Sequence, residues 1–145
     1  MESELFKSVR DTTVPVDRGQ CQPIDLIGKL TLISDCWQPR VVAEMNEYQF
    51  KVVKVEGEFQ WHRHSETDET FIVLEGELNI DVRSGPSGEE TITLHAGQMA
   101  VVPRGVEHKP WANAEAKVLL IEPRGILNTG GNSPNERTVE NDQWI

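Results

Sequence analysis

The feature that most constrains this chain is a succession of short β-rich segments, each closed by turn residues. ELNIDVR (77–83) alternates Leu78, Ile80 and Val82 with Asn79, Asp81 and Arg83, the period-two pattern of a half-buried strand. EYQFKVVKV (47–55), ETFIVLEG (69–76), ETITL (90–94), MAVVP (99–103) and AKVLLIE (116–122) read the same way. KLTLIS (29–34), with Leu30 and Leu32 in alternation, is read as a further strand. SGPSGEE (84–90) reads as a hairpin loop between two strands. No long helical period interrupts the series, which predicts an all-β sandwich or barrel of antiparallel strands.

The 145 residues amount to one domain, enough to bury a single core. Residues 1–27 are mixed and punctuated by Pro15 and Pro23, an irregular lead-in with a helical turn near IDLIGK; the barrel spans 28–122. Residues 123–145 lack periodicity but end on Trp144-Ile145, an apolar pair unsuited to water. This tail is expected to lie across the barrel or a neighbouring subunit.

Lys and Arg number 14 against 24 Asp and Glu, a formal net charge of −10. That field repels polyanions, so nucleic acid and anionic membrane surfaces are excluded as partners. The N-terminus has no cationic-then-apolar signal pattern and no apolar run long enough to span a bilayer, which predicts a cytoplasmic protein. Cys21 and Cys36 are read as idle thiols of a reducing compartment rather than as a disulfide.

Two of the four histidines stand side by side in WHRHSETDE (61–69). In an extended chain, residues two apart project from one face, about 6.6 Å apart, so His62 and His64 converge on a shared point. Gln60 falls in phase with them, while Phe59, Trp61 and Arg63 face the other way. Glu69 opens the next segment in phase with Phe71. If that strand pairs antiparallel with the histidine strand, Glu69 returns beside the imidazoles; Glu66 and Asp68 are alternative carboxylates within the intervening turn. Farther along, GQMAVVPRGVEHKPW (97–111) carries two turns and His108.

These spacings resemble the two motifs of the cupin superfamily. The first runs here as Gly57, four residues, His62-x-His64, four residues, Glu69, six residues and Gly76. The second runs as Gly97, five residues, Pro103-x-Gly105, two residues and His108. The first gap is one residue shorter than usual, and Ala112 stands where the motif has Asn, with Asn113 following. The resemblance spans about residues 48–122. The tail pieces IEPRGILNTGG and ERTV resemble a subgroup of small bacterial cupins labelled mannose-6-phosphate-isomerase-like.

The resemblance implies a double-stranded β-helix (jelly-roll) barrel with His62, His64, Glu69 and His108 as ligands of one divalent transition metal ion. Three imidazoles and one carboxylate suit Mn or Fe, with Ni or Zn as rivals, and leave open coordination positions on a six-coordinate ion. The implied activity is that of a metalloenzyme on a small polar metabolite, of oxygenase type, or alternatively a metal-dependent isomerase or lyase on a sugar-like substrate. A non-catalytic cupin that only binds a small ligand is the other class. Gln60, Phe71 and Lys51 are candidate substrate contacts, although a strand lysine is more often exposed. Phe59 and Trp61, on the outer face, predict a covering partner, and a homodimer agrees with how cupins usually associate.

Overall fold

A computed structural model describes residues 21–83 and 85–145, apart from the side chain of Ser87. Most of the lead-in read over residues 1–27 therefore lies outside the described residues. Helix α1 (Leu26–Leu30) is followed by β1 (Arg40–Met45), β2 (Tyr48–Glu58), β3 (Glu69–Glu75), β4 (Glu77–Arg83), β5 (Glu89–His95), β6 (Met99–Val102) and β7 (Glu107–Pro123). Every strand pair is antiparallel, in the order β1-β2-β7-β3-β6, with β4 pairing β5 and β7. The all-β reading holds. A short 3₁₀ turn, Gly85–Ser87, closes the β4–β5 hairpin where SGPSGEE stands.

β7 organises the barrel. Of its 17 residues, those from Trp111 to Pro123 run along β2, its later half also pairs β3, and its first residues, Glu107 to Trp111, pair β4. Pleating then sorts the side chains. Val53 and Val55 of β2, Phe71 and Val73 of β3, and Val118 and Leu120 of β7 fill the interior, beside Leu78, Ile80 and Val82 of β4. The residues between them on β2 and β7 are not wasted on water. Val52 and Leu119 form a second apolar cluster on the outer face with Leu30, Ile33 and Val42. Burial on both faces explains why these two strands read as continuous apolar runs. Each such side chain contributes about 1.5–3 kcal/mol on leaving water.

α1 covers that outer cluster. Asp25 caps it, its carboxylate accepting from Gly28 N at 3.0 Å. The helical turn expected near IDLIGK is therefore present, whereas the strand expected over KLTLIS is not. Leu30 ends the helix fully buried, and Leu32, in the turn beyond, is 67% exposed. β1, which no expectation covered, pairs β2 at the edge of the sheet.

The tail returns along its own barrel. Val41 N donates to Gln143 O and Ile145 N to Val41 O, and Lys29 Nζ of α1 reaches Ile145 O at 3.0 Å. Cys21 and Cys36 are both free. Among the described residues, no helix is long and apolar enough to cross a membrane.

Candidate metal centre

Two segments bring the histidines together. Residues 59–64 are extended but form no strand; their one ladder contact is the bridge between His62 and His108. These two residues exchange both backbone bonds, His62 N to His108 O at 3.0 Å and His108 N to His62 O at 2.9 Å. Beyond, the turn before β7 is tied to the same segment by Gly105 N donating to His64 O at 2.8 Å. Gly105 has φ 79°, a left-handed conformation that costs glycine least. Glu69 arrives differently from the expectation. β3 pairs β6 and β7, not the histidine segment, and its first residue projects inward from that sheet.

His62, His64, Glu69 and His108 are all buried, and one donor atom from each lies within 4.8 Å of the others. The ring centroids of His62 and His108 are 4.3 Å apart, and that of His64 lies 5.2 and 5.8 Å from them. His62 and His108 are held by the same device. Each Nδ1 faces the carbonyl two residues back, Gln60 O at 2.9 Å and Val106 O at 3.0 Å. A neutral imidazole that donates there presents Nε2 as a free lone pair. His108 Nε2 lies 3.3 Å from Glu69 Oε1, and His64 Nε2 lies 3.5 Å from Glu69 Oε2.

His64 Nε2 is buried without a hydrogen-bond partner of good geometry. An orphaned donor atom beside two oriented imidazoles and a carboxylate is what a cation site requires, so these four residues could hold a metal ion. Borderline nitrogen donors with one oxygen suit a divalent transition metal. The protonation states agree. Burial, helped by neighbouring His108, lowers His62 from 6.5 to about 4, so its ring is neutral and able to ligate. Burial works to raise Glu69, but the imidazoles of His108 and His64 beside it outweigh this and hold the carboxyl well below its ordinary value.

The other candidates separate. Phe71 lines the cavity, its ring edge-on to His108 at 6.1 Å. Gln60 turns away from the metal group, its side-chain oxygen accepting from Asn135 of the tail at 3.1 Å in an exposed bond. Lys51 is buried, not exposed, and pairs Glu122 at 2.8 Å. Asp68 is bound at the surface by Arg104, Glu66 is exposed, and His95 lies beside Glu77 on the surface. Phe59 does not face outward. The segment lacks strand alternation there, so Phe59 is 7% exposed, stacked on Trp37 at 5.0 Å and edge-on to His62 at 5.4 Å. Trp61 is covered by its own chain, with the Arg83 guanidinium 3.8 Å over the ring.

The centre borders an open cleft of about 470 Å³, a volume that includes solvent at its mouth. Its wall is largely apolar: Trp37, Phe59, Phe71, Val53, Val118 and Leu120 stand with a few polar groups, His62, Glu69, Glu122 and Asn128. Trp37 is held at φ 63° by bonds from its N to Lys54 O and its Nε1 to Glu56 O, an uncommon backbone state for a bulky residue. Two functional candidates escaped the sequence reading, Trp37 and Glu122. Glu122 had a signal, an acid in phase with the inward Val118 and Leu120.

Fold and site together define a jelly-roll barrel with an inward His₃Glu group able to hold a metal ion. The chain belongs to the cupin family: residues 49–122 match the family model described as Cupin domain. Among solved structures it is similar to a cupin-2 domain containing protein from Shewanella frigidimarina NCIMB 400, with 55% identity and a TM-score of 0.66, covering 72% of this chain and 98% of that one. Among curated proteins it is 35% identical over 81 residues to the uncharacterized protein YdbB of Bacillus subtilis (strain 168), covering 56% of this chain and 68% of that protein. A hydroquinone 1,2-dioxygenase, PnpCD, in complex with Cd2+ and 4-hydroxybenzonitrile, shares the fold at 18% identity and a TM-score of 0.61, covering 81% of each chain.

Proposed function

We propose that the protein is a metalloenzyme of oxygenase type, using one divalent transition metal ion held by His62, His64, Glu69 and His108. The observation that carries this reading is a buried His₃Glu group, with His64 Nε2 left without a partner, two of whose members line an open, largely apolar cavity. Mn or Fe suits the donor set best, and such an ion supplies Lewis-acid or one-electron chemistry to a coordinated oxygen group. The chain's own residues do the rest. His62 and His108 are pre-oriented by backbone carbonyls, and the aromatic wall of Phe59, Trp37 and Phe71 excludes water.

That wall sharpens the substrate class. A sugar would need a partner for each hydroxyl, and the cavity supplies few. A small molecule with a flat apolar body and one oxygen-bearing end fits better, its oxygens directed at the centre. The dioxygenase of similar fold shows only that such a barrel accommodates this chemistry.

Elemental analysis of the purified protein should find about one transition metal per chain. His62→Ala and His108→Ala should each lose it. Oxygen uptake by the Fe(II)- or Mn(II)-loaded protein with a panel of phenols, catechols and enolic acids should depend on substrate and vanish in the variants. Equal metal in variants and wild type would refute the site; metal without substrate-dependent uptake would refute the oxygenase.

A further inference from the structure

The interior of an apolar barrel has no need of a lysine. Yet the inner face of β2 carries Gln49 and Lys51 below Val53 and Val55, and the inner face of β7 ends in Glu122 below Leu120. Gln49, Lys51 and Glu122 are 0%, 5% and 2% exposed. Lys51 Nζ donates to Glu122 Oε1 at 2.8 Å, an ion pair removed from water on both sides. Desolvating two such charges costs several kcal/mol each, and an apolar pair of similar volume is often as stable or more so. Stability alone does not account for keeping the pair.

Register explains what it touches. β7 lies between β2 and β3. Glu122 pairs Gln49 across one edge, with Lys51 diagonal to it. Continuing the β3–β7 register one residue beyond Thr70↔Ile121 sets Glu122 opposite Glu69. The two carboxyls also line the same cavity. Glu122 Oε2 is itself buried without a bond of good geometry. Glu122 also stands in the wall between the metal-side cavity and a more polar cleft under the tail, which Lys51 lines.

We propose that Lys51 and Glu122 are positioning residues for the metal centre: Lys51 pins Glu122 through one oxygen, and Glu122, packed beside Glu69, sets where the Glu69 carboxylate stands for ligation. Neither touches the ion. The inference rests on the metal reading above, and it goes further in assigning a task to a buried pair outside the ligand set. Groups that orient a ligand typically change metal affinity 10–100-fold when removed.

The test is a cobalt titration of the full chain, followed by the visible d–d absorption of bound Co2+, alongside urea unfolding of the metal-free protein. The double variant Lys51→Met/Glu122→Leu should fold at least as stably as the wild type. It should bind Co2+ about 10–100-fold more weakly, with a shifted absorption band. Glu122→Gln keeps an acceptor for Lys51 and the shape and polarity of the group packed beside Glu69, and should stay within about threefold of the wild type. Wild-type affinity and spectrum in the double variant would overturn the proposal, as would a loss in Glu122→Gln equal to that in Glu122→Leu. A wild type that binds no Co2+ at all would instead sink the metal reading itself.

Discussion

Gly130 holds the histidine segment from outside. Its φ is 65°, and a Cβ added there would overlap the carbonyl oxygen of Arg63 and press on the His62 ring. Around it, Gly131 N donates to Arg63 O, Asn132 to Trp61 O and Arg137 to Glu58 O. The tail thus supplies the partners that a neighbouring strand would give. Gly130→Ala should cost more than about 1–2 kcal/mol, the left-handed strain alone, because Arg63 lies between two ligands and must shift. Urea unfolding and a metal titration should both register it; a variant unchanged in both would show that the tail does not support the site. At this scale the pairing of His62 with His64 was legible from their spacing, and the full ligand set with Glu69 and His108 through the resemblance to the cupin motifs. Phe59, Lys51 and Glu122 were not, since each depends on which segment fails to be a strand or on a cross-strand neighbour far away in sequence.

Strands were legible wherever apolar and polar residues alternate, as in β4 and β5. Misreadings fell where a local pattern has two structural solutions. Leu30 and Leu32 are two apart, which suits a strand, but Asp25 offers a cap and the outer faces of β2 and β7 need covering, so a helix forms instead. Of β7 only AKVLLIE is read as a strand from the sequence; Pro110 cannot donate to a ladder, yet its carbonyl accepts from Phe59 N at 3.0 Å and the strand runs through it. The two solutions for Leu30 and Leu32 make opposite predictions. In a strand both would share one face. Here Leu30→Ala should destabilise by about 2–5 kcal/mol through the cavity it leaves, whereas Leu32→Ala should stay within about 0.5 kcal/mol. Chemical denaturation of the two variants decides, and similar losses would contradict the helix. Neither variant should move metal affinity, because the outer cluster lies across the sheet from the centre.

Viewed as one molecule, the fold buries its titratable groups together, and this makes stability depend on pH in a definite sense. In the metal-free protein His62 titrates near 4, against 6.5 for an ordinary imidazole, chiefly because burial disfavours its charge. Between those values the unfolded chain binds a proton that the folded chain refuses. The contribution of His62 is therefore complete above about pH 6.5 and is lost as pH falls toward 4. Glu69 acts in the same direction at lower pH, being held below its ordinary 4.5, so its contribution is lost in acid. Glu122 acts oppositely, since its raised value favours the fold below 4.5 and less so as pH rises. The wild-type curve sums all three, and comparison with His62→Gln isolates the imidazole. Over the window from 4 to 6.5 the wild type should gain stability on the variant by up to ~1.4 kcal/mol per pH unit, about 3 kcal/mol in all. Saturating metal should widen the gap at neutral pH, because only the neutral ring ligates. Urea unfolding of both proteins at several pH values measures it, and parallel curves would mean that His62 is not held neutral by the fold.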